Sequence, residues 1–230
     1  MQDVSRLTVR RMGLLLHRRW WPRALAVVLG LALAVCRPGV AAAPKDCYVE
    51  IEAARALRLS LVEAMSAERD RQQFLIAARR GSHGLLDLPL SHPSGLSGTD
   101  VERLVSETPL AGFGAAFAEA EQSYSVNALA LLAIAALESA WGTSSLARER
   151  NNLFGYMAFT EVPGAAKWFD SWNDSIAAAA RTLRSRYLDT GGQYYRGGTL
   201  RAIGLFWATD TEWAAKVASI VALLAIRADI

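Results

Sequence analysis

From Val126 to Trp141 the chain reads VNALALLAIAALESAW, a stretch whose apolar residues cover every side of a helix and not a single stripe. A helix that is hydrophobic all round must be buried all round, so the rest of the domain has to wrap it. Gly142 supplies the stop signal. The wrapping material also reads as helices. Leu110, Phe113, Phe117, Ala120 and Tyr124 recur at helical spacing, and Thr143 or Ser144 caps a short helix through Arg148. Ser171 or Asn173 opens a helix to Leu188, Thr199 caps another, and Thr209 with Glu212 caps the last. Strand material is confined to 155–170, where Tyr156 to Phe159 and Lys167 to Phe169 flank Pro163-Gly164. The expectation is a mainly α domain of about 120 residues with one small β-hairpin.

Upstream, residues 48–80 carry Ile51, Leu57, Leu61, Met65, Phe74 and Ile76 among charges, the pattern of one or two amphipathic helices. Residues 81–98 are rich in Gly and turn residues and read as a linker. Thr99 and Glu102 fit a capping box that opens the next helix. The expected division is therefore a leader at 1–42, a helical segment and linker at 43–98, and a main domain at 99–230.

Charge separates the leader from the rest. Residues 1–42 hold seven Arg and one acid, Asp3, which leaves 18 basic and 21 acidic residues for the remainder of the 230. Six of the seven Arg precede an apolar run from Ala24 to Cys36, the length of a signal-peptide core and short of the ~20 residues needed to span a bilayer. Val40 and Ala42 suit a cleavage site before Ala43. Cleaved, this leader exports the domain; retained, it tethers the domain to the membrane. Either way the domain is expected outside the cytoplasm. Cleavage would leave Cys47 without an intramolecular partner, so the mature fold must rest on its core.

Beyond His92 there is neither His nor Cys. Ser-His-Asp and Cys-His catalysis and His- or Cys-based zinc chemistry are thereby excluded from that part of the chain, and neither a metal nor a cofactor is expected. The slightly acidic balance, with no basic and aromatic patch, argues against nucleic acid as a partner. Against this background Glu138 stands out. It lies in the last turn of the most apolar helix, where the helix dipole and its neighbours Ile134, Ala135 and Trp141 disfavour a negative charge. A raised pKa is expected there, and a carboxyl kept protonated is what glycosidic bond cleavage requires of a general acid.

The segment LESAWGTS at 137–144, followed by NNLFG at 151–155, WFDSW at 168–172, Tyr194-Tyr195, Gly198-Thr199-Leu200 and Ala208-Thr209-Asp210 with Trp213-Ala214, resembles the bacterial glucosaminidase domain. That family comprises autolysin-type peptidoglycan hydrolases with a lysozyme-like fold, and the resemblance covers about 108–225. It implies that Glu138 is the general acid and that Asn151, Asn152 and Phe154 line the cleft floor. It also implies a Tyr just before Ala-Thr-Asp; here that position is Trp207, whose indole can stack and donate but cannot serve as a phenolic acid or base. Tyr194, Tyr195 and Tyr156 are the candidates to stand in for it. Glu161, on the presumed hairpin, is the candidate second carboxylate, with attack by the substrate's own 2-acetamido group as the other route. Trp141, Tyr156, Tyr194, Tyr195 and Trp207 are expected to offer aromatic faces to sugar, whereas Trp168 and Trp213 are expected to pack.

These residues lead to the expectation of an endo-β-N-acetylglucosaminidase acting on peptidoglycan glycan strands. A lytic transglycosylase on the same fold and a non-catalytic peptidoglycan-binding module are the alternatives. Oligomeric state is not legible in the sequence.

Overall fold

The computed structural model describes residues 45–157 and 165–229; the expected leader and the presumed hairpin tip with Glu161 lie outside the described residues. The chain divides into two compact units, 1–64 and 65–230. A long helix, α1 (Lys45–Arg79), begins in the first unit, where Ile51, Leu57, Leu59 and Val62 are exposed. No helix among the described residues is long and apolar enough to cross a membrane.

The second unit contains the end of α1 followed by α2 (Ser82–Leu86), α3 (Gly98–Val105), α4 (Gly114–Tyr124), α5 (Ala128–Ser139), α6 (Ser145–Arg150), α7 (Trp172–Thr182), a π-helical continuation Leu183–Leu188, α8 (Leu200–Trp207) and α9 (Trp213–Arg227). The all-apolar run forms α5, and every residue from Ala128 to Ala136 is buried. Helices α4, α7 and α9 pack around it. Leu129, Leu131, Leu132 and Ile134 are each at 0% exposure, and burying such side chains contributes about 2 kcal/mol apiece.

Helix α5 starts where Asn127 Oδ1 accepts from the Ala130 N–H at 3.0 Å. It ends at Ser139, two residues before the expected Trp141, because Ala140, Trp141 and Gly142 all take positive φ (50°, 59° and 84°). Left-handed backbone is unfavourable for Ala and Trp and needs support from its surroundings. Ser139 provides part of it: its hydroxyl donates to Ala135 O at 2.6 Å and accepts from Gly142 N–H at 2.7 Å. A side chain at Gly142 would also meet Trp172, with a Cβ only 2.9 Å from Cη2.

Several caps fall as expected and others do not. Ser144, Ser171 and Thr199 cap α6, α7 and α8. The capping box of α3 is Ser97 with Asp100, not Thr99 with Glu102. Glu102 instead accepts from the Gly112 and Gly114 N–H groups at 2.7 and 2.9 Å, tying α3 to the start of α4. Helix α9 starts after Glu212 with no side-chain cap, and Asp210 Oδ1 takes the Glu212 N–H one turn earlier.

Segment 81–98 contains α2 and is woven into the fold. Leu85 and Leu90 are buried, the Leu90 N–H donates to Gly198 O at 2.9 Å, and Leu90 O accepts from Asn127 N–H at 2.7 Å. The core reaches back further still, to Phe74, Ala77 and Ala78 of α1. No described residue of 155–170 is in a strand; the two arms are joined by the Lys167 N–H bond to Tyr156 O at 3.0 Å.

Candidate active site

Glu138 is half-buried on the last turn of α5, and its carboxyl is held by two indoles. Trp213 Nε1–H donates to Oε1 at 2.8 Å and Trp207 Nε1–H donates to the same oxygen at 3.1 Å. The other oxygen, Oε2, faces the turn after Phe154: a methyl group on Gly155 would lie 3.9 Å from it. Gly155 has φ +65°, which favours glycine there.

Two asparagines build that turn. Asn152 is buried; its Nδ2 donates to Tyr156 O and Lys167 O, both at 3.0 Å, while its Oδ1 accepts from Tyr156 N–H at 2.9 Å. Asn151 ends α6 in the left-handed conformation and donates to Phe169 O and Asp170 O. Leu153 and Phe154 point into the core, with Leu153 N–H bound to the buried Ser175 hydroxyl.

From Glu138 an aromatic wall runs along the ends of α8 and α9. Trp213 and Trp207 have ring centroids 6.0 Å apart, Trp207 meets Tyr187 at 5.7 Å, Tyr187 meets Tyr194 at 5.2 Å, and Tyr194 stacks on Phe206 at 5.3 Å. Burial pushes the Tyr187 hydroxyl above its ordinary pKa, with Tyr194 adding to the effect. Phe206 is 45% exposed under the Arg196 guanidinium, so the wall ends at solvent.

The sequence-derived candidates distribute unevenly. Trp207 joins Glu138, and Tyr194 joins the wall. Trp141 is half-buried in the left-handed exit from α5, and Tyr195 is half-exposed beside the Gly197-Gly198 turn. Tyr156 turns its hydroxyl onto α7, donating to Ala178 O at 3.0 Å, and burial raises its pKa. Two packing expectations change. Trp168 is 65% exposed with the Arg150 guanidinium over its ring, and Trp213, although 3% exposed, uses its N–H on Glu138. Trp213 and Tyr187 were missed as site residues. The sequence does place Trp207 and Trp213 six residues apart around the Ala-Thr-Asp turn, but nothing local says that both indoles face the same carboxyl.

The profile of a family described as mannosyl-glycoprotein endo-beta-N-acetylglucosaminidase matches residues 114–225, which include Glu138, both indoles and the Gly155 turn. This stretch is similar to the glucosaminidase family. Two relatives from Streptococcus pneumoniae, strains TIGR4 and R6, carry names for endo-beta-N-acetylglucosaminidase activity and are each 37% identical over 118 residues. The match takes in 51% of this chain but only 18% and 17% of theirs, so the chain spans less than a fifth of the length of these curated relatives. Crystal structures of S. aureus autolysin E share the fold at 22% identity and a TM-score of 0.53. One is a catalytic mutant in complex with the disaccharide NAG-NAM, aligned over 62% of this chain and 72% of that one. Another covers 66% of this chain and 75% of that one. The matched stretch includes Glu138, Gly155, Trp207 and Trp213.

Proposed function

We propose that this protein is an exported endo-β-N-acetylglucosaminidase that hydrolyses the β-1,4 bond after N-acetylglucosamine in peptidoglycan glycan strands, with Glu138 as general acid. The observation that carries this reading is the carboxyl itself, anchored through Oε1 by two N–H donors, with Oε2 facing the Gly155 turn. In the proposed step Oε2–H gives its proton to the glycosidic oxygen as the bond to the anomeric carbon breaks. Water then adds to that carbon and its proton leaves to a base. Glu161, or the 2-acetamido group of the substrate, supports the anomeric centre. The aromatic wall of Trp207, Tyr194 and Phe206 offers flat faces to successive sugars, and Trp141 and Tyr195 lie on segments that flank it.

The disaccharide bound to autolysin E supports a peptidoglycan glycan over the mannosyl-glycoprotein of the family description. The Arg-rich, apolar leader supports export.

Mass spectrometry of purified peptidoglycan digested by the full chain tests this. New reducing N-acetylglucosamine ends are expected, and Glu138→Gln is expected to lower their release by about 10²–10⁴-fold. Anhydro-sugar ends would instead identify a lytic transglycosylase. Binding without fragments, equal for both proteins, would identify a non-catalytic module, and release of glycans from a high-mannose glycoprotein alone would overturn the substrate class.

A further inference from the structure

Three helix ends meet at one atom. Glu138 lies at the end of α5, Trp207 is the last residue of α8 and Trp213 the first of α9, and both indoles donate to Oε1. An indole N–H can only donate, so Oε1 is required as an acceptor twice over. In a protonated carboxyl the carbonyl oxygen accepts hydrogen bonds far better than the hydroxyl oxygen, so the proton belongs on the other atom. The donors cannot easily turn away: Trp213 is 3% exposed, and the Trp207 ring is held between Trp213 and Tyr187.

We infer that Trp207 and Trp213 are positioning residues that hold Glu138 in one orientation and confine its transferable proton to Oε2, the oxygen facing Gly155. The inference rests on Glu138 being the general acid. It gives Trp207 a task different from that of a phenol at the same position: the indole acts through the acid and does not touch the anomeric centre. Both indoles act on the same oxygen. Each supplies one charge-assisted hydrogen bond when the carboxyl has lost its proton, and each leaves Oε2 unobstructed.

The test uses the full chain with ¹⁵N-indole tryptophan. Two of the seven indole N–H signals, assigned by their loss in Trp207→Phe and Trp213→Phe, are expected to move with pH along one shared titration curve and to stay fixed in Glu138→Gln. In turnover each Phe variant is expected to lose about tenfold in kcat, and the double variant about a hundredfold, with KM within about twofold of wild type. The ring remains and a single hydrogen bond to a charged group goes. A role in packing alone would leave kcat unchanged in any Phe variant that melts normally. Should Trp213→Phe fail to fold, the wild-type titration and Trp207→Phe decide the matter. Indole signals that ignore Glu138, or folded Phe variants with wild-type kcat, overturn the inference while Glu138→Gln still judges the acid separately. A Glu138→Gln protein that turns over at the wild-type rate overturns both.

Discussion

Asn152 is buried and commits its whole side-chain amide to the backbone: its Nδ2 donates to two carbonyls and its oxygen accepts an N–H. Removing the amide takes away the partner of the Tyr156 N–H and of Lys167 O, while Tyr156 O keeps the Lys167 N–H. Asn152→Ala is expected to cost about 2–4 kcal/mol in a denaturant titration. Asn152→Asp should be at least as damaging, since a carboxylate cannot donate to Tyr156 O and Lys167 O. At this scale the sequence revealed half of the site. A lone Glu in an apolar helix is visible from helical spacing, because its surroundings lie three and four residues away. The donors to Oε1 lie 69 and 75 residues away, and no local pattern specifies them. Trp213 was therefore expected only to pack, and Trp207 to offer its ring to sugar.

At the scale of elements, capping motifs were found but their register was ambiguous. The stretch Ser97-Gly-Thr-Asp-Val-Glu102 contains two overlapping boxes, and local chemistry accepts either. Tertiary contact decides, since Glu102 is drawn to the N–H groups of Gly112 and Gly114. The same reason explains the loop 91–97, which reads as a linker but is fastened at several points. Glu121 accepts from the Ser94, Gly95 and Ala128 N–H groups, and Asn127 donates to His92 O. His92 Nδ1 is buried in this loop without a hydrogen-bond partner. Burial holds its pKa below the usual 6.5, with the Asp70 carboxylate opposing the effect only in part. The folded chain therefore binds this proton less tightly than the unfolded chain. The stability that neutral His92 contributes is complete above about pH 6.5 and is lost as pH falls below it. Thermal melts between about pH 7 and pH 5 are expected to show this decline, and His92→Gln should flatten it.

For the whole molecule, the fold class was legible because one helix is apolar on every side, and only a helical wrapping fits the sequence around it. The edge of the domain was harder to see. The residues of α1 that enter the core, Phe74, Ala77 and Ala78, look no more apolar than Leu57, Leu59 and Val62, which stay exposed. Amphipathic spacing reports that a face exists, not what covers it. A chain beginning at Met65 retains all the buried residues of the second unit and is expected to melt cooperatively near the full-length temperature. A chain beginning at Gly98 lacks Phe74, Leu85 and Leu90 and exposes their partners, a loss of about 2 kcal/mol or more for each large side chain. Circular dichroism melts of the two chains measure the difference.

The meeting of α5, α8 and α9 at one carboxyl oxygen also has a consequence in time. During synthesis Glu138 emerges before Trp207 and Trp213, which follow it by 69 and 75 residues. Until α8 and α9 have both docked, the carboxyl lacks one or both of its anchors, so the acid exists for a time without the setting that aims it. The proposed acid is armed only when all three helices have come together.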